Sequence, residues 1–183
     1  MISHKITGGG GLVLHVEEHG NAQGRAILFI HGFNQSGLCW NKQVHSSLSD
    51  EFRLITLDIR GHGLSEKPHD AYDDSRLWAD DIAAVIKTLN LKKPTLSGWS
   101  YGGTIICNYL QHYGEENIGG IHFVGATSKI GKTAMEYMGK EYIAIARGYL
   151  SDNFDESSQA LQDFVRLCGG RIERRRILFH SWL

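Results

Sequence analysis

The stretch Thr95-Leu96-Ser97-Gly98-Trp99-Ser100-Tyr101-Gly102-Gly103 constrains the fold of this chain more than any other. A short, mostly apolar run meets a Gly-x-Ser-x-Gly turn, and a helical pattern follows at once. A serine held on a sharp strand-to-helix turn needs small neighbours two residues to either side, and Gly98 and Gly102 meet that need. Its Oγ then projects clear of the sheet. The amide of Tyr101, at the start of the helix, points where negative charge would develop on a reacting carbonyl. Ser100 is the candidate nucleophile, with Gly98, Trp99 and Gly102 shaping its turn. The competing reading is a Gly-rich strand–helix turn with an incidental serine.

Strands and helices alternate on both sides of this turn. Residues 3–7 and 12–18 read as two strands joined by the four glycines 8–11. No Gly-Lys-Ser/Thr follows those glycines and no helix opens there, so a flexible hairpin turn is expected rather than a phosphate-binding loop. Residues 26–30 form a continuous apolar run, as in a strand buried on both faces. A helix is expected over 38–48, a strand over 52–58, and a helix with Trp78, Ile82, Val85, Ile86 and Leu89 on one face, capped by Asp73 or Asp74. A strand over 95–98, a helix to Tyr113 and a further buried strand over 120–125 complete the pattern. Such alternation predicts a mostly parallel sheet with helices on both faces.

After residue 130 the alternation stops. Met135, Met138, Tyr142, Ile145 and Tyr149 mark one amphipathic helix, and Leu161, Phe164, Val165 and Cys168 mark another that Asp155 could cap. The chain thus divides into a core over 1–128, a lid-like helical region over 129–168 and an atypical, Arg-rich tail over 169–183. Its 183 residues, 42% hydrophobic and 21% charged, suit a soluble globular domain. A net charge of −1 gives no electrostatic case for nucleic acid or an anionic membrane. Three scattered cysteines, Cys39, Cys107 and Cys168, form no zinc-ligand spacing. With no signal-peptide pattern at the N-terminus and no apolar run long enough to span a bilayer, a cytoplasmic location is expected.

A second constellation, His31-Gly32-Phe33, ends the 26–30 strand, where a loop can supply a backbone donor from Phe33. Three motifs now stand in order: His31-Gly32-Phe33-Asn34-Gln35-Ser36-Gly37, Asp58-Ile59-Arg60-Gly61-His62-Gly63-Leu64-Ser65-Glu66-Lys67-Pro68 and Gly98-Trp99-Ser100-Tyr101-Gly102-Gly103. Over roughly residues 10 to 168 the chain resembles the α/β-hydrolase fold family, in its branch of cofactor-free haloperoxidase-like esterases. The resemblance implies a three-layer α/β-hydrolase sheet, mostly parallel, with a partial helical lid and the C-terminal strands missing. It implies an acyl-enzyme on Ser100, an oxyanion hole from the Phe33 and Tyr101 amides, and no metal or other cofactor. The implied partner is a small-molecule carboxylic ester with a small or medium acyl group, which Phe33, Trp40 and Trp99 would flank. In haloalkane dehalogenase relatives an Asp takes the nucleophile position, so Ser100 argues against that chemistry.

In this fold the triad histidine follows the serine in chain order. His31 is therefore expected to shape its loop together with Gly32, and His62 to be structural, with Asp58 and Arg60 fixing its turn. His112, His122 and His180 carry no motif. No acid follows the 120–125 strand in Ala126-Thr127-Ser128-Lys129, and Asp152, Asp155 and Asp163 belong to the lid-like helices. The chain reads as a nucleophile without a credible acid or base. That pattern fits a truncated or frame-shifted hydrolase with low activity, a genuine compact variant, a non-catalytic binding protein on the same fold, or an inactive fragment.

Overall fold

The register of three apolar strands decides where the rest of the chain goes. The computed structural model describes residues 1–128 and 136–168, in two compact units divided after Ser128. The tail 169–183 with His180, and Met135 of the first lid-like helix, lie outside the described residues. In the first unit, β1 (Ile2–Thr7), β2 (Val13–Gly20), β3 (Ala26–Ile30), β4 (Arg53–Leu57), β5 (Thr95–Trp99) and β6 (Gly120–Val124) form one sheet in the order β1-β2-β4-β3-β5-β6. β4, β3, β5 and β6 are parallel neighbours, whereas β2 runs antiparallel to both β1 and β4. Ile30 is level with Leu57 on one side and Gly98 on the other. The loops after β3, β4 and β5 therefore leave the sheet at one edge, side by side, as the carboxyl ends of parallel strands do.

Alternation along the strands feeds two apolar layers. Leu28 and Ile30 of β3, Ile55 and Leu57 of β4 and Leu96 of β5 pack with Trp78, Ile82 and Val85 of α3 (Ser75–Thr88) and Ile105, Ile106 and Tyr109 of α4 (Tyr101–Tyr113). Phe29 and Leu54 point to the opposite face and pack with Trp40 and Val44, with Trp99 and Val124 against them. Strands buried on both faces explain why 26–30 and 53–57 carry no polar alternation. Asp74 caps α3 by accepting from the Arg76 amide at 2.8 Å.

Several expected elements differ from the structure. The region 38–48 is not one helix but a 3₁₀ turn (Gly37–Trp40), α1 (Asn41–Val44) and α2 (Leu48–Glu51). Side chains break it by competing for backbone groups: His45 Nδ1–H donates to Asn41 O, and Ser46 Oγ donates to Gln43 O while accepting from Leu48 N. The strand over 120–125 is not buried. β6 pairs only with β5 among the described strands, and Ile121 and Phe123 are 38% and 49% exposed. The four-glycine turn does join β1 to β2 as a hairpin, but it is pinned: Gly9 N–H donates to Asp81 Oδ1 of α3 at 2.8 Å, and a side chain at Gly8 would overlap that carboxylate.

In the second unit, α5 (Lys140–Ala146) starts after Gly139 and passes into a 3₁₀ turn (Arg147–Leu150), shorter than the helix expected from residue 135. α6 (Phe154–Cys168) is capped by Asn153, whose Oδ1 accepts from the Asp155 and Glu156 amides; Asp155 lies in the first turn instead of capping it. Tyr142, Tyr149 and Phe164 form a ring cluster with centroids 5.9–6.3 Å apart.

One buried ion pair ties the first unit together. Arg60, in the loop after β4, is fully buried, and its fork meets Asp81 of α3 at 2.7 and 2.8 Å. The remaining donors reach Gly9 O, Ala71 O and Leu77 O. Removing one partner strands an uncompensated buried charge, so Arg60→Met and Asp81→Asn should each lose about 3–5 kcal/mol in urea unfolding. The double variant should lose less than the sum of the two; strictly additive losses would show that the pair is not coupled.

Candidate active site

Ser100 occupies the turn between β5 and α4 with φ 51° and ψ −117°, a left-handed backbone that a non-glycine residue adopts at a cost of about 1–3 kcal/mol. Neighbouring hydrogen bonds hold it there. The Ser100 amide donates to Val124 O at 3.1 Å, and Gly103 N donates to Ser100 O at 3.0 Å. Both flanking glycines are required by space. A Cβ at Gly98 would stand 2.7 Å from the Gly102 carbonyl carbon, and one at Gly102 would overlap the carbonyl oxygen of Ile30. α4 thus begins in backbone contact with the end of β3, and Tyr101 opens its first turn with its ring edge-on to Trp78 at 5.4 Å.

The loop after β3 passes directly beside the serine. A Cβ at Gly32 would lie 3.0 Å from Ser100 Cβ and 3.6 Å from Ser100 Oγ. The adjoining His31 is completely buried. Its Nδ1 meets Gly32 O at 2.7 Å, and its Nε2 meets the Ile59 amide at 3.1 Å. A carbonyl only accepts and an amide N–H only donates, so the ring is the neutral Nδ1–H tautomer. Burial pushes its pKa down to about 4, against the pull of the Gly32 carbonyl.

His62, in the loop after β4, mirrors this arrangement. Nδ1–H donates to Arg60 O at 3.0 Å, and Nε2 accepts from the Asn34 amide at 3.2 Å. Burial lowers its pKa as well. The two imidazoles stand edge to face at 5.4 Å, and the Phe33 ring lies 5.8 Å from His62. Asp58, one residue past β4, accepts from the amides of Gly37 at 2.7 Å and Leu64 at 2.9 Å and meets His15 Nδ1 at 3.0 Å. It fixes the same pair of loops from the other side. Burial and the Asp58 charge push the nearby Cys39 thiol up to about 12, which keeps it protonated.

The structure therefore brings Gly32, Ser100, Gly98 and Gly102 together, with His31 behind the loop and Phe33 next along it. Trp99 turns away to the face that carries Phe29 and Trp40, and Trp40 itself is a core residue. Arg60 holds its turn from two ends: its carbonyl accepts from His62 Nδ1–H, and its side chain reaches out of the turn to Asp81 of α3 and Gly9 O. No side chain among the described residues hydrogen-bonds Ser100 Oγ, and Nε2 of both nearby imidazoles is engaged by a backbone amide. His112 meets Ser75 Oγ at 2.9 Å and His122 meets Ser97 Oγ at 3.1 Å. Among the described residues, no group of three or more His, Cys, Asp or Glu side chains is placed to hold a metal ion. The link from His62 to Asn34 is not among the expectations from the sequence. Its trace is the doubling of His-Gly, once after each of two adjacent strands.

Neutral burial of His31 has a pH consequence. The folded ring takes a proton only near pH 4, whereas the unfolded ring takes it near 6.5, so between these values the unfolded chain binds more protons. The stability it contributes is fully present above pH 6.5 and is lost as pH falls towards 4, by about 3 kcal/mol. Urea unfolding at a series of pH values should show a shallower slope in this window for His31→Gln than for the wild type. Equal slopes would place the titration elsewhere.

Comparison with known proteins agrees with this architecture. The family model described as alpha/beta hydrolase fold matches residues 25–178. The AB hydrolase superfamily protein YisY of Bacillus subtilis is 38% identical over 106 residues, covering 57% of this chain and 38% of that protein. Non-heme chloroperoxidase CPO-A1 of Kitasatospora aureofaciens is 36% identical over 92 residues, covering 50% and 33%. The crystal structure of esterase RhEst1 from a Rhodococcus species superposes with a TM-score of 0.82 at 35% identity, covering 90% of this chain and 60% of that one. The chain thus spans less than two thirds of each of these relatives. No described helix is long and apolar enough to cross a membrane. A family-model match over most of the chain, on the same sheet and turn that hold Ser100, shows that the protein belongs to the α/β-hydrolase fold family.

Proposed function

We propose that Ser100 is the nucleophile of a carboxylic-ester hydrolase acting through an acyl-enzyme. The observation that carries this reading is the left-handed Ser100 backbone, wedged between Gly98 and Gly102 and facing Gly32. Strain of this kind persists only where the surroundings over-determine it, and here it sets a hydroxyl against the loop that carries Phe33. In the proposed reaction Ser100 Oγ attacks the ester carbonyl and its proton passes to a base. The Phe33 and Tyr101 amides hold the oxyanion, the alcohol leaves with a proton, and water then releases the acid from Ser100. The name of the esterase relative supports an ester as substrate. The exposed Phe33 ring supports a small or medium apolar acyl group, while Trp40 and Trp99 serve the core. Three unpaired cysteines are in keeping with a reducing, cytoplasmic setting.

The base and its acid are assigned outside the described residues, since His31 and His62 are both bound to backbone and Ser100 Oγ meets no described imidazole. The same observation favours a second reading, a binding protein on this fold without turnover. In one protease, an oxyanion hole and binding alone left about 10³–10⁴ of acceleration over water. Slow but specific modification is therefore expected. Prolonged treatment with excess fluorophosphonate should leave one adduct per chain, mapped to the peptide carrying Ser100 and missing in Ser100→Ala. Equal labelling of the two proteins, or none in the wild type, would overturn the nucleophile assignment and leave the binding reading.

A further inference from the structure

Phe33 sits between two peptide units, and an imidazole holds each of them. The unit joining Gly32 to Phe33 is held at its carbonyl end, where Gly32 O accepts from His31 Nδ1–H at 2.7 Å. The unit joining Phe33 to Asn34 is held at its amide end, where Asn34 N–H donates to His62 Nε2 at 3.2 Å. A trans peptide is planar with C=O and N–H opposed, so fixing the Gly32 carbonyl fixes the direction of the Phe33 amide. The second hold acts against a tendency to relax, because Asn34 is left-handed at φ 57°. Both rings are in turn anchored on consecutive residues, His31 by the Ile59 amide and His62 by the Arg60 carbonyl. Those residues cannot drift, since the Arg60 side chain is locked to Asp81.

We propose that His31 and His62 are paired positioning residues, which as neutral Nδ1–H imidazoles clamp the two peptide planes flanking Phe33 and so aim its amide at the oxyanion on Ser100. The proposal rests on Ser100 being the nucleophile. Simple packing would accept either tautomer; the clamp accepts one. A proton on Nε2 would set donor against donor at the Ile59 amide for His31 and at the Asn34 amide for His62. The charged and titratable groups facing the rings are Asp58, which favours protonation of both, Lys67, which opposes it at His62, and the two imidazoles themselves. Burial outweighs Asp58 in each case.

The test uses the full chain. Long-range ¹H–¹⁵N spectra of the imidazoles should show a protonated Nδ1 and a bare Nε2 for both residues at pH 7. His62→Phe, which fills the space without an acceptor, should shift the Phe33 and Asn34 amide resonances. It should also slow fluorophosphonate modification of Ser100 by about tenfold or more, the scale of a small misplacement at a reacting centre. His62→Gln, which restores an acceptor, should recover most of that rate, including at temperatures far below unfolding, where a merely structural defect has no effect. The Nε2–H tautomer or a charged ring at either position overturns the clamp, as does wild-type labelling in His62→Phe. A wild type unlabelled at Ser100 overturns the nucleophile reading and the clamp together, whereas equal rates in wild type and His62→Phe overturn the clamp alone.

Discussion

The backbone contact between the first turn of α4 and the end of β3 is the constraint on which the site depends. Gly102 lies so close to the Ile30 carbonyl that no side chain fits between them. That contact draws the helix N-terminus onto the sheet edge and forces the preceding residue into a left-handed turn. Because Ile30 is level with Leu57 and Gly98, the loops that follow all three strands emerge together. Gly32 then reaches Ser100 without any special feature of its own beyond lacking a side chain. Interior packing is dense, so an added methyl here moves backbone instead of filling a void.

Around this steric centre the charged side chains are engaged by structural partners. The full charges near the loops are spent on structure: Arg60 and Asp81 neutralise each other in the interior, and Asp58 is surrounded by amides and His15. What faces Phe33 is neutral, two imidazoles whose hydrogen bonds run to backbone. Preorganised dipoles stabilise a developing oxyanion without reorganisation when charge appears. A cationic ring in the same place would set its Nε2–H against a backbone amide donor and lose that hydrogen bond. The buried, neutral state of His31 thus links acid stability of the fold to the geometry of the loop.

Much of this was legible in the sequence. The run 26–30, the Gly-x-Ser-x-Gly turn and the periodic face of α3 carry their structures locally, through burial on two faces, tight backbone approach and 3.6-residue spacing. Other features depend on partners far along the chain and leave no local trace. The glycines 9–11 look like a loose hairpin, yet Asp81, some seventy residues away, pins them. β6 reads as a buried strand because its residues are apolar, but burial is decided by what lies beyond the edge, not by the strand itself. The helix expected over 38–48 is broken by His45 and Ser46, whose side chains compete with the backbone ladder. His62 was readable as a loop histidine, while its bond to Asn34 needs the parallel order of β4 beside β3.

The chemistry proposed for Ser100 depends on where the Phe33 amide points when a tetrahedral adduct forms on it. A crystal structure of the chain after organophosphonate modification measures it directly. The phosphoryl oxygen should accept hydrogen bonds from both the Phe33 and Tyr101 amides at about 2.7–3.1 Å, with His31 and His62 unmoved. An oxygen turned to solvent, or a Phe33 amide directed away from it, would show that this loop does not form the oxyanion hole.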